Sequence, residues 1–325
     1  MVPRILASLL FGFTVLAGAA TAQEKYPSKP IRLVVPFAVG GPTDIIGRII
    51  GAKLSDLLGQ QIVVDNRPGA GSNIGADLVA KSAPDGYTLL LGSVSAFAIN
   101  PGLYKNMPYD PVRDFEPIGQ IGEQPVVLVV NSALPATDLK SLIALVKANP
   151  GKYSYGSPGV GAMPHLCGEV LKAMGGNLDI VHVPYRGSGP MMNDLSAGQI
   201  TMAFDGLPTV LPQIQAGTIR AIGAGTATRT RSLPDLPSLD EQGFRGFECY
   251  TWNAIFAPAK TPPRIVAQLN TAINAALADK AVFTRLQDIG IDPTPDTTPE
   301  KLAAFVKAQL AKWAPVIKAS GTQLD

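Results

Sequence analysis

Two stretches of this chain set backbone amides and hydroxyls beside helix starts, a chemistry suited to holding an anion. They are Val35-Pro36-Phe37-Ala38-Val39-Gly40-Gly41-Pro42 and Val183-Pro184-Tyr185-Arg186-Gly187-Ser188-Gly189-Pro190, near copies of one another. Each follows a β-branched run, Ile31 to Val35 and Ile180 to Val183, and opens a helical pattern. The first turn of a helix leaves N–H groups unpaired and carries partial positive charge. In the first stretch Gly40 and Gly41 permit close approach, and Pro42 makes Gly41 the N-cap. Thr43 adds a hydroxyl there, while Asp44 is able to accept from first-turn amides. In the second, Ser188 and Gly189 stand in the places of Gly40 and Gly41 with Gly187 before them, and Arg186 has no counterpart. Phe37 and Tyr185 would supply apolar walls. One such loop in each half of the chain is expected to grip a small acid.

Further loops after strands are candidates for the same cleft. Gly69-Ala70-Gly71-Ser72-Asn73-Ile74-Gly75 nearly matches the dinucleotide fingerprint, but its spacing is G-x-G-x-x-x-G and no acid tips a following strand. It reads as a helix-start loop with Ser72 and Asn73 as ligand contacts. Ser93, Ser95 and Ala96 end a strand at the ligand edge of an α/β sheet, and Ser157 and Pro158 are read as their match in the second half. Asp205 would close the far wall or cap the next helix. His165 and His182 are read as structural.

No catalytic set emerges. The chain has no G-x-S-x-G elbow, P-loop, H-E-x-x-H or C-x-x-C. A scattered Ser–His–Asp triad stays open on spacing alone, although two histidines are a thin basis for it. Cys167 and Cys249 are the only cysteines and lie far apart, so the reading favours two buried free thiols over a disulfide. With no closely spaced ligand pair, neither metal nor cofactor is expected.

These loops need elements to position them. Strand and helix alternate from Ile31 onward, as in α/β domains. An apolar face of Ile45, Ile46, Ile49, Ile50, Leu54 and Leu57 defines the first helix, which Gly59 ends. Val126 to Val130 reads as the first crossing between domains, and Tyr250 to Ala257 as the return. Three helices beginning near Pro263, Lys280 and Pro299 then cover the first domain. The expected organisation is a two-lobed α/β protein. One lobe is 23–125 with 249–325, and the other is 126–248.

The N-terminus reads as an export signal: Arg4, an apolar run from Ile5 to Ala20, then Ala20-Thr21-Ala22. Residues 1–22 are expected to be removed after Ala22, leaving a soluble exported protein. About 300 residues suffice for two domains. The 33 Gly and 29 Pro mark many turns, and a net charge of +2 without basic clusters argues against nucleic acid or anionic membrane.

Taken together, Val35-Pro-Phe…Gly-Gly…Thr-Asp44, Asn66-Arg-Pro-Gly-Ala-Gly71, Pro84-Asp-Gly-Tyr-Thr-Leu89 and Val183-Pro-Tyr-Arg-Gly-Ser-Gly189 resemble the substrate-binding proteins of tripartite tricarboxylate transporters, the Bug family. The similarity covers nearly the whole mature chain. It implies a periplasmic Venus-flytrap receptor, usually monomeric, that delivers a small carboxylate to membrane permease subunits. It also implies that the loops Phe37 to Asp44 and Pro184 to Pro190 bind a carboxylate through backbone groups and water. Ser72 departs from the family's usual glycine. Two other functions share these residues: an exported hydrolase using Ser93 or Ser157, and a ligand-sensing periplasmic subunit of a signalling system.

Overall fold

The computed structural model describes residues 25–320 and 323–324. The expected signal and its cleavage point lie outside them. The first elements are β1 (Ile31–Val35), α1 (Pro42–Leu58), β2 (Ile62–Asn66), α2 (Asn73–Ala80) and β3 (Thr88–Ser93). A buried π-helical turn, Ser95–Ile99, and the short α3 (Asn100–Leu103) lead to β4 (Phe115–Asn131). Then come α4 (Leu139–Lys147), β5 (Tyr153–Ser157), α5 (Met163–Met174), β6 (Ile180–Pro184), α6 (Ser188–Ser196), β7 (Met202–Gly206), α7 (Leu207–Gln215) and β8 (Ile219–Ala224). After a long connection follow β9 (Tyr250–Pro258), α8 (Pro263–Ala278), α9 (Lys280–Asp288), β10 (Asp292–Pro293) and α10 (Pro299–Ser320).

The main strand order is β2-β1-β3-β9-β4-β7-β5-β6, with β8 and β10 also pairing β4. β1, β2 and β3 run parallel, as do β5, β6 and β7. Each triplet joins the centre through an antiparallel strand, β3 to β9 and β7 to β4. The halves therefore repeat: β1 corresponds to β5, β2 to β6 and β3 to β7. This corrects two pairings drawn from sequence. The near-copy loops follow β1 and β6, which are not equivalent, since β1 lies between two strands and β6 at an edge. The match of the Ser93 strand end is Asp205 on β7, not Ser157 on β5.

β4 is the shared spine. Its Phe115–Pro125 segment pairs β9, and Val126–Asn131 pairs β7 and β8. Sequence patterning marks only Val126 to Val130 because Pro117 and Pro125 interrupt the rest. The ladder shifts register beside Pro117, before Gly119, and again between Gln120 and Gly122, while Pro125 pairs Tyr250 in register. One apolar core runs through both halves, from Val34 and Leu90 through Phe97, Trp252 and Phe256 to Tyr155 and Phe204. Phe97 stacks on Phe256 with centroids 3.9 Å apart.

Cys167 on α5 and Cys249 before β9 form a disulfide, their Cα atoms 5.8 Å apart. The free-thiol expectation is thus overturned. Their sequence separation of 82 hides a proximity that only the return of the chain at β9 creates.

Candidate functional site

Four helix starts meet around one small cavity. α1 contributes Gly41, Pro42 and Thr43; α5 contributes Ala162, Met163 and Pro164; α6 contributes Gly187 and Ser188; the end of β7 and start of α7 contribute Asp205 and Gly206. Ser93, Ser95, Gln124, Val126 and Thr251 complete the wall. Pro at the first turn of α1, α5 and α7 pre-sets the helical φ without wasting an N–H. The cavity volume is about 50 Å³, room for a few water-sized groups. Phe37, Ala38, Pro158, Ala162 and Gly187 also line an adjoining outer cavity of about 550 Å³. They form the throat between the two.

The halves meet closely here. A methyl placed on Gly187, whose φ is +112°, would lie 2.7 Å from the Ala38 Cβ. One placed on Gly41 would lie 3.7 Å from the Ser188 Oγ, and one on Gly206 2.9 Å from Pro42. The Met163 N–H donates to Ser95 Oγ across 3.2 Å. The two near-copy loops thus face one another over a common cavity.

Of the residues singled out from sequence, Phe37, Gly41, Thr43, Ser93, Ser95, Pro158, Gly187, Ser188 and Asp205 line the inner cavity. Ser72 and Tyr185 line the outer one. The other six line neither cavity. Gly40 and Gly189 are exposed at the loop surface. Asp44 ties its loop: Oδ2 accepts from the Gly40 N–H and Arg48, and Oδ1 from Asn66. Burial pushes its carboxyl up, but those bonds outweigh it and hold the group below the usual range. Asn73 Oδ1 accepts from Asn100 and the Tyr109 hydroxyl, and the Ala96 carbonyl accepts from the same tyrosine. Ser157 Oγ lies 2.8 Å from His182 Nε2 and donates to the Gly159 carbonyl. His182 stacks between His165 and Tyr155. Burial, then His165, pushes His182 down to about 4.

Sequence reasoning missed Gln124 and Thr251. They sit opposite each other in the β4–β9 ladder, where the chain crosses between halves. The available signal is a polar residue at each crossing, beside the apolar runs already noted.

No Lys, Arg or His lines the inner cavity. Three buried polar atoms on its walls have no hydrogen-bond partner within the protein: Ser93 Oγ, Gln124 Oε1 and Asp205 Oδ2. Burial pushes the Asp205 carboxyl up to about 7, which the Ser188 hydroxyl and the Gly206 N–H only partly offset. The wall therefore offers helix-start amides, hydroxyls and one carboxyl, groups that act on an anion by dipoles rather than by a counter-charge.

The family model described as "Tripartite tricarboxylate transporter family receptor" matches residues 46–322. The chain belongs to this family. The receptor is 38% identical over 323 residues to BugT of Bordetella pertussis, an alignment covering 99% of this chain and 98% of that one. Among solved structures it resembles the periplasmic binding protein BugD, at 38% identity and a TM-score of 0.88, covering 92% of this chain and 99% of that one. It also resembles the R. palustris protein Rpa4515 with adipate, at 38% identity and a TM-score of 0.89, covering 92% and 100%. The fold is thus the two-lobed α/β periplasmic-binding-protein fold, and the receptor is of the Bug type. Receptors of this family bind small carboxylates and work with membrane components of a transporter. Among the described residues no helix is long and apolar enough to cross a membrane.

Proposed function

We propose that this receptor is exported, captures a small organic carboxylate between lobes 23–125 with 249–325 and 126–248, and delivers it as a monomer to the permease subunits of a tripartite tricarboxylate-type transporter. The observation that carries this reading is the meeting of four helix starts around a cavity that no cationic side chain lines. The carboxylate head enters the inner cavity and contacts both lobes, so the ligand favours the closed state by its differential contacts. The rest of the ligand occupies the outer cavity, where Tyr185 and Arg186 stand. The adipate found with an R. palustris relative supports an acid of this kind. The Cys167–Cys249 disulfide supports export, with residues 1–22 removed after Ala22.

The hydrolase reading draws on Ser157 and His182. Ser157 and His182 line neither cavity, so an acid bound there would not meet the Ser157 hydroxyl as a nucleophile. A serine-reactive phosphonate is therefore expected to leave the protein unlabelled. A sensor would hold its ligand in the same way; capture of permease rather than signalling partners by the liganded protein is the expected distinction. The direct test is thermal-shift screening of the mature protein against carboxylic acids. A tight ligand raises the melting temperature by mass action. A flat response to every acid tried would overturn the reading.

A further inference from the structure

The receptor's most unusual wall group is an acid placed where an acid is to be bound. Asp205, one residue before the end of β7, is 2% exposed and lines the inner cavity; its Oδ2 is buried and accepts no well-formed hydrogen bond, although the Ser188 hydroxyl lies near enough to favour the charged carboxyl. Its Oδ1 accepts from the Gly206 N–H at 2.8 Å. Beside it Ser93 Oγ and Gln124 Oε1 are likewise unpartnered.

No cation lines the inner cavity, and Arg186, just before α6, lines only the outer one. On α1, Asp44 and Arg48 are paired with each other. On α5, Glu169 holds Lys172 and the hydroxyl of Tyr155 from β5, and burial pushes His165 below its ordinary value. On α6, Asp194 accepts from the Tyr185 hydroxyl. Arg220 on β8 donates to the carbonyls of Ser132, Leu134 and Ala136. On β4, Glu123 faces a separate groove with Asp292 and Lys312, while Glu116 sits near the far end of the strand. Neither α7 nor the rest of β7 carries a charged residue.

A carboxylate entering this chamber would face a second carboxyl without a cation between them, and two adjacent anions in a dry site cannot both stay ionised. One proton between them turns repulsion into a hydrogen bond. We propose that Asp205 meets the bound acid as a neutral carboxyl, its Oδ2 donating a proton to a ligand oxygen, so that above neutral pH each acid captured takes up one proton from solvent. The raised affinity of the buried Asp205 carboxyl for its proton in the empty cavity agrees with this role. It also sets where the effect begins, at about pH 7. This inference rests on the receptor reading: it assigns the polar end of that same site a proton-linked selection for anionic, oxygen-accepting head groups over cationic ones.

The test is isothermal titration of the mature protein with adipate, succinate, benzoate and glutamate from about pH 6.5 to about pH 9, in buffers of different ionisation heat. The expected result is a Kd that weakens about tenfold per pH unit above about pH 7, with close to one proton taken up per acid bound. In Asp205→Asn the Kd is expected to be flat with pH and the proton uptake to vanish. Should that variant fold poorly, the buffer dependence of the parent protein alone decides the matter. A Kd in the parent that is independent of pH, without proton uptake, overturns the proposal and leaves the receptor reading standing. So does a preference for a ligand whose ammonium is essential, since Asp205 would then act as an ionised counter-charge. Failure of all four acids to bind at any pH overturns the proposal together with the reading on which it rests.

Discussion

Asp205, Ser93 and Gln124 each bury a polar atom that the folded chain leaves unpaired. Such atoms cost stability when nothing satisfies them, and their gathering on one wall is where a bound acid is expected to repay the deficit. Asp205 makes the cost measurable without any ligand. Its folded pKa lies near 7, above its ordinary value of 3.8, so the unfolded chain gives up its proton first as pH rises. Its contribution is therefore fully present below about pH 4 and is lost progressively up to about pH 7. Asp205→Asn is expected to stabilise the empty protein above pH 7 by up to about 4 kcal/mol, the gap closing toward pH 4. Denaturant melts of parent and variant at several pH values check this; a gap independent of pH would contradict it. Ser72 is strained in another way. Its φ of +91° suits glycine, which is the residue its relatives are expected to carry there. Ser72→Gly is expected to gain about 1 kcal/mol in a urea melt. The sequence left Asp205 open between a cavity wall and a buried cap of the next helix, and it marked Ser72 only as a departure from the family's glycine; the depth of burial of the one and the backbone strain of the other were not legible.

At the scale of elements, the helix starts hold the site together. Their proline-first turns were readable in the sequence, and so was the alternation of strand and helix. The likeness of the loops after β1 and β6 pointed to two loops that line one cavity but suggested the wrong symmetry. Side-chain identity records what a loop touches, whereas strand order records where it sits. Sequence likewise treated Gly189 as equal to Gly187. Yet Gly189 is exposed, while Gly187 meets Ala38 across the cleft. Gly187→Val is therefore expected to weaken acid binding by about tenfold or more, because the added side chain opposes closure. Calorimetry reads the loss and circular dichroism checks that the fold remains. Gly189→Val is expected to keep most of the affinity. Equal losses in both variants would contradict the assignment of the contact. The interrupted pattern of β4 was the other illegible element, since its prolines obscure a strand that bulges rather than ends.

For the whole molecule, β4 and β9 make the two halves one object, and the disulfide ties α5 to the start of β9 beside that junction. Closing a loop of 82 residues restricts the unfolded chain by about 4–5 kcal/mol in the chain-entropy account. Cys167→Ala with Cys249→Ala is expected to lower the melting temperature by several degrees (~10 °C) while leaving the acid's Kd within about threefold, because neither cysteine lines the cavity. A melting temperature unchanged by the double substitution would contradict a structural role for the bond. In the proposed complex an acid's carboxylate lies where the starts of α1 and α6 face each other, within reach of Asp205. A crystal structure of the acid-loaded protein locates it. Carboxylate oxygens are expected within hydrogen-bond distance of first-turn groups on both helices and of Asp205. An acid held only in the outer cavity, against Arg186 and clear of those helix starts, would contradict it.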